Sequence, residues 1–191
     1  PYFELRYSGE YVPAVKALDE TGNVIYVGSF SKIISPGLRV GFACARADLI
    51  QKMTVAKQGA DVHNPLLTQM LVSEYMRQYD LDLHIEACRR IYKEKRDRMI
   101  ARMEAKFPES VSFTRPEGGL FLWCTMPDNI SGMAFCKLSS AHGVACVPGG
   151  TFHPAGDPNC PCFRMNFSLP TPEQIDAGVD ILAECMEQSL R

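Results

Sequence analysis

Ser29, Ser31, Lys32 and Arg39 fall within one short stretch, Ser29-Phe30-Ser31-Lys32-Ile33-Ile34-Ser35-Pro36-Gly37-Leu38-Arg39-Val40-Gly41-Phe42. A primary amine beside hydroxyls and a guanidinium suits a small molecule that carries both an aldehyde and a phosphate. The amine condenses with the carbonyl, while the guanidinium fork and the hydroxyls hold the dianion. A surface lysine would account for Lys32 alone but not for the whole constellation. The elements that must position these groups flank them. Val24-Ile25-Tyr26-Val27 has the length and β-branched content of a buried strand, which places Lys32 just past a strand's carboxyl end, where ligands of α/β sheets gather. Pro36-Gly37 supplies a turn, and Arg39 to Ala45 reads as a second strand that brings the arginine back toward the lysine.

The pattern S-x-S-K-x-x-x-P-G-L-R-x-G resembles the lysine signature of the fold-type I, class I/II aminotransferases, and the resemblance runs from Pro1 to the C-terminal helix. It implies pyridoxal 5'-phosphate as cofactor, with Lys32 as the Schiff-base lysine, Ser29 and Arg39 on the phosphate, and Ser31 as a second hydroxyl. Tyr2 matches the family tyrosine whose hydroxyl reaches the cofactor's phenolic oxygen; a packing aromatic is the other reading of Tyr2. The family's aspartate partner for the pyridinium nitrogen would lie just upstream of Pro1. The chain therefore looks cut, lacking the N-terminal half of such an enzyme, and on its own it is expected to be inactive.

Arg164 sits in Phe163-Arg164-Met165-Asn166-Phe167-Ser168, where strand alternation puts it on the face opposite Phe163 and Met165. The stretch resembles the family's C-terminal arginine strand, whose guanidinium grips the α-carboxylate in a bidentate pair. A salt bridge on an exposed strand face is the alternative. For the parent protein the resemblance implies amino-group transfer between an α-amino acid and a 2-oxo acid, carried out by a homodimer. The subgroup it points to contains the 2-aminoadipate and kynurenine aminotransferases. Two alternatives share the signature: the effector domain of a MocR-type transcription regulator, which would carry a DNA-binding helix-turn-helix upstream, and a related lyase or decarboxylase.

The implied fold class is α/β, the C-terminal part of the aspartate aminotransferase-like fold. Residues 1–62 would be a remnant of the large cofactor-binding domain, 63–106 connecting helices, and 107–191 a small α+β domain. Periodicity supplies the elements. Asn64-Pro65 gives a cap and first-turn proline ahead of Leu67, Leu71 and Tyr75. Ile85, Cys88, Tyr92, Met99 and Met103 trace a long helix to about Lys106, whose charged face offers Glu86–Arg90 and Glu94–Arg98 pairs and is read as solvated. Beyond it come a hairpin around Gly118-Gly119, a helix over 131–142, strands at 144–147 and 163–169, and a last helix announced by Thr171-Pro172-Glu173-Gln174.

The chain has 191 residues, 46% hydrophobic and 22% charged, with a net charge of −2. That balance gives no basic surplus for nucleic acid, and no apolar run is long enough to span a bilayer. Eight cysteines lie mostly in apolar stretches, which points to a reducing cytoplasm. Cys160-Pro161-Cys162 has no second cysteine pair, and the four histidines show no metal spacing, so no metal is expected.

Overall fold

The computed structural model describes residues 2–190, and these divide into two compact units, one up to Arg89 and one from Arg90 onward. In the first unit, β1 (Tyr26–Ser29) pairs antiparallel with β2 (Gly41–Cys44), in a register that runs from Tyr26↔Cys44 to Ser29↔Gly41. The lysine stretch is thus the connection of a two-stranded ribbon. Gly28 lets the Phe42 ring lie across it, since a Cβ there would sit 2.2 Å from that ring.

Two expectations about the first strand fail. It starts at Tyr26 rather than Val24, because the Val24 N–H is already committed to Asp19 Oδ2 (3.0 Å). The same carboxylate accepts the N–H groups of Thr21 and Asn23 and pairs with the Lys16 ammonium at 2.7 Å. That ammonium, followed by the Val24 N–H, holds the Asp19 carboxyl well below the usual carboxylate range. The strand is also not buried: Val27 is 64% exposed, and all four residues of β2 are exposed. A two-stranded ribbon has too little face to cover its side chains.

Helices α1 (Ala47–Ala60) and α2 (Leu66–Gln78) follow. Asn64 does not cap α2. Its side-chain amide donates to the Arg39 carbonyl (2.5 Å), which leaves Pro65 at the cap position. Leu67 and Leu71 are exposed, and Val72 is the one buried residue of that helix. The long helix α3 (Leu81–Lys106) forms as expected and carries the chain into the second unit, burying Ile85, Met99 and Met103.

The second unit is a four-stranded antiparallel sheet in the order β3 (Ser112–Phe113), β4 (Phe121–Thr125), β6 (Cys162–Asn166), β5 (Val147–Pro148). The expected hairpin is β3–β4, with Gly119 in the left-handed region at φ 80°. Strand β5 is shorter and later than the 144–147 expected, and β6 ends at Asn166, short of Leu169. Alternation sends Leu122, Cys124, Phe163 and Met165 to the buried face. There Phe135 of α4 (Gly132–Ala141) packs on Phe163 with ring centroids 4.8 Å apart.

Helix α5 (Pro172–Ser189) starts with a reciprocal capping box between Thr171 and Gln174 and buries Ile175, Val179, Leu182 and Met186. The charged side of α3 pairs differently from expectation within this unit. Arg98 turns from Glu94 to Asp176 of α5 (2.7 Å), and Arg102 pairs with Asp180 one turn on. A carboxylate on a neighbouring helix competes with one on the same helix, and periodicity cannot register that. None of the described helices is long and apolar enough to cross a membrane.

Candidate active site

Lys32 closes a short 3-10 turn, Phe30–Lys32, that begins where β1 ends. The turn forms because the Ser29 Oγ accepts the Ser31 N–H (3.2 Å), while the Phe30 carbonyl accepts the N–H groups of Ile33, Ile34 and Ser35 at 3.3, 2.8 and 3.2 Å. Ile33 is buried and anchors the loop. The Phe30 N–H donates to the Val40 carbonyl (3.1 Å), so the ladder runs one step past the strands and draws the two ends of the loop together.

Lys32 itself is half-buried, with its Nζ 5.8 Å from the centroid of the Tyr2 ring. The sequence-expected pair Tyr2 and Lys32 is therefore brought together in space. Arg39 follows a second 3-10 turn, Pro36–Leu38, and takes a left-handed backbone (φ 56°) that is held by Asn64 on its carbonyl. Its Nη1 donates to the Pro36 carbonyl (3.1 Å). Among the described residues no carboxylate pairs with Lys32 or Arg39. An amine, two serine hydroxyls and a guanidinium committed to nothing stronger than backbone are a donor set for an anionic, carbonyl-bearing ligand. The residues present fit pyridoxal phosphate on that chemistry.

In the second unit Arg164 lies on the half-open face of β6, opposite Trp123 on one neighbouring strand and Val147 on the other. Its guanidinium carbon is 4.0 Å from the centroid of the Phe121 ring and 4.7 Å from that of Phe152, and Phe152 meets Trp123 edge-on at 5.5 Å. No carboxylate of the described residues pairs with it. Two aromatic faces hold a cation while sparing its N–H groups for an incoming acid. Phe121 and Phe152 were not singled out from the sequence. The spacing of β4 and β6 gives Phe121 the same open face, but Phe152 arrives from a separate turn, Gly149–Phe152, and leaves no local signal.

The model of the family "aminotransferase class I and II" matches residues 3–182, and the chain belongs to that family. It is 40% identical over its whole length to aromatic-amino-acid aminotransferase 1 of Thermococcus litoralis, covering 46% of that protein. With the 2-aminoadipate transaminase of Thermus thermophilus it shares 38% over 97% of this chain and 47% of the relative. The crystal structure of the Pyrococcus horikoshii kynurenine aminotransferase superposes with a TM-score of 0.95 at 39% identity, again over all of this chain and 47% of the other. A regulator of Bacillus subtilis, the HTH-type YisV, matches more weakly, at 27% over 96% of this chain. The chain spans about half the length of the curated relatives it matches.

Proposed function

We propose that the whole protein is a pyridoxal-phosphate-dependent aminotransferase that moves an amino group between an α-amino acid and a 2-oxo acid. The observation that carries this is the Lys32 amine, half-buried in a serine-capped turn with Tyr2 beside it and no carboxylate partner among the described residues. Lys32 would hold the cofactor, with Ser29, Ser31 and Arg39 on its phosphate and Tyr2 beside the ring. When bound, the cofactor supplies an electron sink for charge developing at the substrate's α-carbon. The Lys32 amine takes the proton from that carbon and returns it to the acceptor position, and Arg164 fixes the substrate through its carboxylate.

The Pyrococcus horikoshii relative was solved in complex with PMP, with KYN as substrate and KYA as product, which supports the same cofactor chemistry here. By likeness to the relatives, 2-aminoadipate, kynurenine and aromatic amino acids are the first substrates to assay, with 2-oxoglutarate as acceptor. Residues 1–62 would belong to the cofactor-binding domain, 63–106 to the connecting helices and 107–191 to the small domain, in a homodimer working in the cytoplasm.

The test is direct. Full-length protein reconstituted with pyridoxal phosphate should transaminate and show the cofactor's visible absorbance, and Lys32→Ala should lose both. Turnover near the wild-type rate in that variant would overturn the assignment. The match to YisV favours one second reading, a regulator built on the same fold. It would show cofactor absorbance without turnover and a helix-turn-helix ahead of residue 1.

A further inference from the structure

Within the second unit, a group of ligating side chains gathers in the loop that leads into β6. His153, Asp157 and Cys160 bring an imidazole nitrogen, a carboxylate oxygen and a thiol sulfur within 4.8 Å of one another. The loop's own backbone sets them there. The Gly150 carbonyl accepts the N–H groups of both His153 (3.3 Å) and Asp157 (3.1 Å), and the Cys160 N–H donates to the Asp157 carbonyl (3.4 Å). Glycine makes this approach possible, since a Cβ on Gly150 would fall 1.8 Å from the Asp157 oxygen and one on Gly132 would fall 2.8 Å from the Cys160 oxygen.

The three side chains remain available as ligands. One Asp157 oxygen accepts the Asn159 N–H (3.0 Å), which orients the carboxylate and leaves its other oxygen free. No lysine or arginine of the described residues pairs with Asp157, and the His153 ring makes no hydrogen bond among them. Cys160 is buried with Cys162 as its hydrogen-bonding neighbour, and the Cys162 thiol, at the start of β6, also contacts the Thr125 hydroxyl at 3.5 Å.

We propose that His153, Asp157 and Cys160 form a zinc site, its fourth position filled by water. Nitrogen, oxygen and sulfur together select zinc over the oxygen-loving magnesium and calcium. Zinc holds such donors about 3.3–3.8 Å apart, so the three atoms, within 4.8 Å of one another here, would draw together by about 1 Å on binding. Bound metal would stiffen the loop that carries Phe152, the residue before His153, against Arg164.

The inference does not depend on the aminotransferase reading. Metal-free protein kept reduced with a non-chelating phosphine is titrated with Co(II), and the thiolate-to-cobalt charge-transfer absorption is followed. One Co(II) per chain, displaced by zinc, is expected. Cys160→Ser should abolish the band, while His153→Ala, a change at an exposed position that leaves the core intact, should weaken binding at least about tenfold. Cys44→Ser removes an exposed thiol elsewhere in the chain and should change nothing. The proposal is overturned by the absence of the band, by unchanged affinity in His153→Ala and Cys160→Ser with circular dichroism confirming their fold, or by loss of the band in Cys44→Ser.

Discussion

Arg164 is held by two phenyl rings, and this shapes what its removal should do. A charge-assisted hydrogen-bonded pair contributes roughly 1.5–3 kcal/mol, equivalent to about ten- to a hundredfold in affinity. In the reconstituted full-length protein, Arg164→Ala should therefore raise KM by about that factor for the amino acid and the oxo acid alike, because they share the carboxylate. The cofactor spectrum should persist. Unchanged KM for both substrates would take Arg164 out of the site. Phe152→Ala should act more mildly, since an exposed cation–π contact is worth about 0.5–1 kcal/mol. Steady-state kinetics should show a KM increase of only a few-fold with kcat retained, and an unaltered KM would mean that the ring does not position the guanidinium.

At the scale of elements, helix α5 depends on its first turn and on two clips to α3. Thr171→Ala removes the acceptor for the Gln174 N–H and should cost about 1 kcal/mol, read as a lowered thermal midpoint; a Thr171→Ser variant should stay close to wild type. The clips are Arg98–Asp176 and Arg102–Asp180. Hydrogen bonding from each arginine lowers the carboxyl of its partner, against the opposing effect of desolvation. A carboxylate lowered in the folded state stabilises above its unfolded pKa, about 3.9, and that stability is lost as pH falls through the lower folded value. The gap in thermal midpoint between wild type and the double variant Asp176→Asn, Asp180→Asn should thus be small at neutral pH, shrink further below about pH 4 and shrink in high salt. A gap that widened on acidification would contradict this account.

Across the whole molecule the core is unevenly distributed. Among the described residues, the buried apolar ones of the first unit are Leu5, Ile33, Val72 and Ile85, whereas the second unit buries all the rest, from Met99 to Met186. Hydrogen exchange should accordingly protect β4, β6 and α5 far more than β1, β2 and α1, because local opening costs least where few apolar contacts break. Equal protection across both units would show that the first is held by something other than its own core. The sequence by itself determined the features whose cause is local. The family signature is a matter of residue type and spacing, the face of Arg164 follows from strand alternation, and α5 is written in its capping box and its 3.6-residue period. Tertiary structure decided what depends on partners distant in sequence or on competition between partners. Asp19 takes the Val24 N–H and shortens β1, and Asn64 leaves its cap for the Arg39 carbonyl. Phe152 reaches Arg164 from its own turn, and a doubled-back loop gathers His153, Asp157 and Cys160. Each of these is set by where the folded chain brings a donor to an acceptor or a ring to a cation, and spacing along the sequence carries no record of that distance.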